Sequence, residues 1–109
     1  MNGINTQFSL IQRTLAQASL EQKVAGQNIA NVNTPGYRAY EAAVVPDDLS
    51  QGKSYSVRQK ENLPARLDGN NVDIDLEIGQ LKKSALKHRA LTQLLAAKVQ
   101  QLKHAMSRT

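Results

Sequence analysis

Apolar residues recur along the first third of the chain at Ile4, Phe8, Ile11, Leu15, Ala18, Ala25, Ile29 and Val32, with Gln22 the polar member of the series. The steps alternate between four and three residues, which keeps the whole series on one side of an α-helix. The pattern predicts an N-terminal helix with one seam for another helix, and it makes Gln22 a register-setting group there. The series breaks at Asn33-Thr34-Pro35-Gly36-Tyr37. Pro35 disfavours helical backbone at Thr34 and removes a donor, while Gly36 accepts a positive φ, so a sharp turn is expected.

A second series, Ile74, Ile78, Leu81, Ala85, His88, Thr92, Leu95, Val99, Leu102 and Met106, has the same spacing. With Ile78 at an a position, Thr92 and Val99 are also a, and Leu81, Leu95 and Leu102 are d. β-Branched a with leucine d suits a close two-helix seam. Leu86, Ala90, Leu94 and Ala97 form another apolar line on a different face, so the helix carries more apolar surface than one partner covers. Asp73 reads as its N-cap, with Asp75 and Glu77 placed to favour the helix dipole. The two helices, about 27 and roughly 34 residues long, would span about 40 and 50 Å and can pair lengthwise.

The middle has no sustained helical period. Ala39 to Val45 is rich in Ala and Val, and Pro46, Asp47, Asp48, Gly52 and Pro64 punctuate a polar stretch in which Tyr55-Ser56-Val57 reads as a short strand. Asp68-Gly69-Asn70-Asn71 reads as a turn. A calcium loop is excluded there, since the glycine stands second instead of sixth and the closing bidentate Glu is missing. The expected fold is therefore mainly α: two long amphipathic terminal helices packed as a helical hairpin or coiled coil, with a short irregular or β-containing middle. Residues 1–36 would form the first helix and its terminal turn, 37–71 the extended middle, and 72–109 the second helix.

The run Ala30-Asn31-Val32-Asn33-Thr34-Pro35-Gly36-Tyr37, preceded by Asn28 and the heptad series, resembles the motif that closes the N-terminal helix of the bacterial flagellar axial proteins, the rod, hook and hook-associated subunits. Asn70-Asn71-Val72-Asp73-Ile74-Asp75-Leu76-Glu77 and Ala90-Leu91-Thr92-Gln93-Leu94-Leu95 look like the C-terminal helix of proximal-rod members. The Val-Glu-Glu-Met and Gln-Arg-Ala-Tyr pattern of other rod and hook subunits is absent, the middle is shorter than usual, and His88 stands where relatives tend to carry an aromatic. The resemblance implies a structural rod subunit joining the rod to the membrane-embedded base. It implies export through the flagellar type III apparatus without a cleaved signal, and self-assembly through the terminal helices on the periplasmic side of the inner membrane. The implied partners are other rod proteins, the base adaptor and the export gate, in homo- and hetero-oligomeric contacts.

Charge and composition narrow the chemistry. Residues 1–77 hold seven Lys/Arg and nine acids, net −2, and residues 78–109 hold seven Lys/Arg and no acid, net +7, which together give the overall +5. The cations Lys82, Lys83, Lys87, Arg89, Lys98, Lys103 and Arg108 scatter around the helix axis and have no aromatic platform beside them, so no nucleic-acid partner is expected. Solvated flanks and a helix C-terminus suit them. Aromatic residues make up 4% and Trp is absent, which leaves little material for a large core. Without cysteine there is no disulfide or thiolate site, and no basic-then-apolar leader or membrane span opens the chain.

Catalysis has little to use. His88 and His104 are the only histidines, and His88 reads as a seam residue hydrogen-bonded across the interface. No enzyme activity, cofactor, metal or small-molecule substrate is expected. The candidate site is an assembly surface, made of the motif Asn28, Ala30, Asn31, Asn33, Thr34, Pro35, Gly36 and Tyr37 with the seam residues Phe8, Ile11, Leu15, Ile29, Ile78, Leu81, Leu95, Val99 and Leu102. Tyr37 and Tyr40 are either anchors for a neighbour or packing for their own helix end. The alternative function is a cytoplasmic helical-hairpin adaptor or export-chaperone-like module that buries the same stripes within a small bundle.

Overall fold

The computed structural model describes residues 2–45 and 54–108, with the side chains of residues 2, 4 and 54 outside the description. Pro46, Asp47, Asp48 and Gly52 therefore lie outside it, as does the side chain of Ile4. Four elements follow in order: α1 (Asn2–Ala30), β1 (Tyr40–Val45), β2 (Ser54–Gln59) and α2 (Ile74–Ser107). The two helices pack antiparallel in an elongated body 67 Å long, and β1 and β2 form an antiparallel ribbon beside the end of α1. Tyr40 pairs with Gln59 and Val45 with Ser54, and the Lys60 N–H extends the ladder to the Ala39 carbonyl at 2.9 Å. The expected Tyr55–Val57 strand is thus the centre of β2, and its partner is the Ala/Val-rich run.

The α1 series lies where its period places it. Ile11, Ala18 and Ala25 are buried, and Phe8, Leu15, Gln22 and Ile29 are half-buried. Val32 is half-buried too, but it follows the helix. The helix ends at Ala30 and unwinds through tight turns, with Val32 N–H on the Ile29 carbonyl and Thr34 N–H on the Asn31 carbonyl, before Pro35 is reached. Gly36 takes φ 76° and its N–H donates to the Asp68 carbonyl at 2.8 Å. Gly69, at φ 85°, faces it so closely that an added Cβ would sit 3.3 Å from the Gly36 Cα.

The α2 seam differs from the expected stripe. The side chains turned to α1 are Glu77, Leu81, Ser84, His88, Leu91, Leu95 and Lys98, of which Glu77 and Ser84 are buried and the others half-buried. Leu81, His88 and Leu95 belong to both series. Ile78, Val99 and Leu102 do not pack into the intramolecular seam as fully as expected, remaining 39%, 37% and 36% exposed. The reason is polar. An apolar count passes over Glu77 and Ser84, yet the small Ser84, fully buried, lets the helices approach, and Glu77 is required by partners on α1 and beyond β2. The seam is rotated by roughly 50°, half of one residue step. Lys87 Nζ reaches Glu21 Oε1 at 3.5 Å, so one cation of the basic helix ties the hairpin instead of lying in a solvated flank.

The N-cap reading holds: Asp73 Oδ1 accepts from the N–H groups of Asp75 and Leu76 at 3.1 and 3.3 Å. His88 makes no side-chain hydrogen bond across the seam among the described residues, in contrast to the expectation. Its ring is half-buried on the face that also carries Leu81, Leu91 and Leu95.

Candidate assembly site: an asparagine clasp at the end of the hairpin

The end of α1, the start of β1 and the approach to α2 meet around a few small apolar residues, Val24, Ala25, Ala39 and Val72 being buried there. Three asparagines hold them together. Asn28, fully buried, donates from Nδ2 to the Tyr40 carbonyl at 2.8 Å and to Glu77 Oε1 at 3.0 Å. Its Oδ1 accepts from the Tyr40 N–H and the Tyr37 hydroxyl, both at 3.0 Å. One side-chain amide thereby pairs both backbone groups of Tyr40, as a neighbouring strand would, and its bonding capacity is filled.

Asn70, also fully buried, completes the end of α1. Its Nδ2 donates to the carbonyls of Asn31 and Thr34, each at 2.8 Å, and its Oδ1 accepts from the Val72 N–H at 2.8 Å. The last carbonyls of α1 are taken locally by the Asn31 and Val32 N–H groups, and Asn70, almost forty residues downstream, serves the carbonyls of the turns that follow. Arg66 adds a guanidinium on the Val32 carbonyl. Asn71 Oδ1 accepts from the Ala39 N–H at 2.6 Å, while its buried Nδ2 has no partner.

Beneath this layer Glu77 is 2% exposed and carries a bond from Lys60 Nζ to its Oε2 at 2.7 Å in addition to that from Asn28. A buried carboxylate is tolerated only when paired and hydrogen-bonded, and both of its oxygens are engaged. Tyr37 and Tyr40 stack edge to face with centroids 6.0 Å apart. Burial, then Tyr40, then Glu77 push the Tyr37 hydroxyl above the ordinary tyrosine pKa. Tyr37 thus packs on its own helix end.

The motif residues are used unequally. Asn28, Asn31, Thr34, Gly36 and Tyr37 all make specific bonds: Asn31 Nδ2 donates to the Gln27 carbonyl at 2.8 Å and Thr34 Oγ1 to Asn31 Oδ1 at 3.0 Å. Ala30, Asn33 and Pro35 are exposed. Asn70, Asn71, Lys60, Arg66 and Glu77 complete the cluster, and sequence reasoning did not place them in it. Asn70, Asn71 and Glu77 do fall in the run that carries the second resemblance, but as a string Asn70-Asn71 reads as a plain turn until its amides are seen to be buried.

The two long helices thus form a hairpin closed at one end by a polar clasp. The family model described as "Flagella basal body rod protein" matches residues 11–38, the second half of α1 and the turn motif. Over 116 aligned residues the chain is 28% identical to the "Flagellar basal body rod protein FlgB" of Bacillus subtilis (strain 168), covering 89% of this chain and 90% of that protein. Both likenesses are to flagellar basal body rod proteins, the second over most of the chain.

Proposed function

We propose that the chain is a self-assembling subunit of the proximal rod, joining the rod to the membrane-embedded base. In this reading it is exported through the flagellar type III system without a cleaved signal and packs beside copies of itself, other rod proteins, the base adaptor and the export gate. The observation that carries the reading is the face of α2 left bare by the rotated seam. Ile74, Ile78 and Val99 lie along one side of the intramolecular contact at 37%, 39% and 37% exposure, and Leu86 and Leu94 stand elsewhere on the helix at 69% and 44%. Apolar side chains that their own hairpin leaves wet favour burial by neighbours, at about 25 cal/mol per Å². The clasp fixes the angle at which the β-ribbon leaves the helices, so neighbours meet a defined shape.

The test is complementation of a strain lacking the protein by a chain carrying Ile78→Asp and Val99→Asp. A carboxylate on that face is solvated in the free hairpin and desolvated in an assembly. The expected result is a folded, exported chain and lost motility. Full swimming would refute assembly through this face.

A further inference from the structure

Asp68-Gly69 is the chain's one Asp-Gly pair. Glycine leaves the following amide nitrogen unshielded, which makes this the dipeptide in which an aspartate most readily cyclises onto its own main chain. The fold demands glycine there, for Gly69 has φ 85° and its Cβ position lies 3.3 Å from the Gly36 Cα. The most reactive successor is therefore built in by geometry.

We infer that Asp68-Gly69 is an isoaspartate-forming site that the folded clasp holds shut, so that isomerisation occurs in unfolded chains and then disables the clasp. In the reaction the Gly69 nitrogen attacks Asp68 Cγ, the N–Cγ bond forms, and the carboxyl oxygen leaves as water with its own proton and the amide proton. Water then adds to the main-chain carbonyl carbon of Asp68 and breaks its bond to Gly69 N. The chain now runs through Cβ and Cγ. No atom is gained or lost overall.

Each group the reaction needs is held in the native turn. The Gly69 N–H donates to the Arg66 carbonyl at 2.8 Å, which fixes the peptide plane and keeps its proton engaged. Asp68 Oδ1 accepts from the Asn70 N–H at 3.0 Å and lies 3.7 Å from Arg66 Nε. The Asp68 carbonyl, the atom attacked in the second step, takes the Gly36 N–H at 2.8 Å. After isomerisation that carbonyl becomes a free carboxylate and the main chain gains a methylene. The close Gly36–Gly69 approach has no room for it, and Asn70 loses its aim on Asn31 and Thr34.

The experiment incubates the full chain at neutral pH in native buffer and in unfolding urea, and reads isoaspartate at position 68 in the Leu67–Lys82 tryptic peptide by electron-transfer fragmentation. Formation is expected to be at least about tenfold faster in urea, the ratio for an opening free energy of about 1.4 kcal/mol. Asn70→Ala in native buffer should move toward the urea rate. Asp68→Glu should abolish the signal in both, because the larger ring closes far more slowly. Equal rates in native buffer and urea, no isoaspartate in either, or an Asn70→Ala rate unchanged from wild type would overturn the inference.

Discussion

The Asn28 amide does for Tyr40 what a neighbouring strand would do. Its partners are the N–H and carbonyl of Tyr40, the Tyr37 hydroxyl and the Glu77 carboxylate, at 2.8–3.0 Å. Truncation strands four buried or half-buried groups, so Asn28→Ala should cost about 2–4 kcal/mol, read from the urea midpoint. Asn33, one motif position away in type but exposed, should change stability by less than about 0.5 kcal/mol when replaced by Ala. A motif seen as a string gives both residues equal weight. Burial separates them, and burial depends on Asn70 and Glu77, which are remote in sequence.

Tyr37 supplies a pH signature at the same scale. Its raised pKa, caused first by burial, means that above the unfolded value of about 10 the unfolded chain releases a proton the folded chain keeps. The stability Tyr37 contributes is complete below that pH and is lost as pH rises through the higher folded pKa. Tyr37→Phe should flatten this alkaline loss in denaturation curves taken across the window. An unchanged slope would mean that another group titrates there.

Among the elements, both long helices, the short strand and the Asp73 cap were legible, because period and cap chemistry are local. The helix stop was legible only in part. α1 ends at Ala30, short of Pro35, and the carbonyls of Asn31 and Thr34 in the turns beyond it are taken by Asn70. Pro35→Ala alone should therefore leave the boundary in place, while Gly36→Ala should cost about 1–2 kcal/mol from its left-handed φ of 76°. Asn70→Ala should fray the last turn of α1, visible as faster amide exchange at Asn31 and Val32. Continued helix through residue 36 in the Pro35→Ala, Gly36→Ala double variant would instead make the breaker the stop.

The α2 stripe was legible in spacing and misplaced in rotation. Heptad counting selects apolar residues, and the closest approach in this hairpin uses Ser84 and a paired Glu77. The correction changes what a mutation reports. Leu95 is half-buried inside the hairpin, so Leu95→Asp strikes the fold as well as any assembly. Ile78→Asp, on the bare side, should leave thermal unfolding within about 0.5 kcal/mol of wild type.

At the scale of the whole molecule, ordering is uneven. The clasp is densely hydrogen-bonded, whereas residues 99–107 of α2 and the Arg108 after them are exposed throughout. Free chains should show slow amide exchange from Asn28 to Tyr40 and from Lys60 to Glu77, and fast exchange toward residues 2–10 and 99–108. Uniform protection along both helices in a verified monomer would contradict this. Separation of charge serves the same design, since the acid-free span 78–109 adds repulsion between copies that apolar contact must outweigh. Sedimentation should therefore shift to larger species as salt is raised.

If assembly covers the bare face of α2, the change is directly measurable, because the sequence contains no cysteine. Single cysteines at position 78 or 99, with exposed Lys83 replaced as a reference, would be treated with maleimide in free chains and in isolated basal bodies. Positions 78 and 99 should react readily in the free chain and become protected in the basal body. Equal labelling of position 78 in both states would contradict coverage of that face.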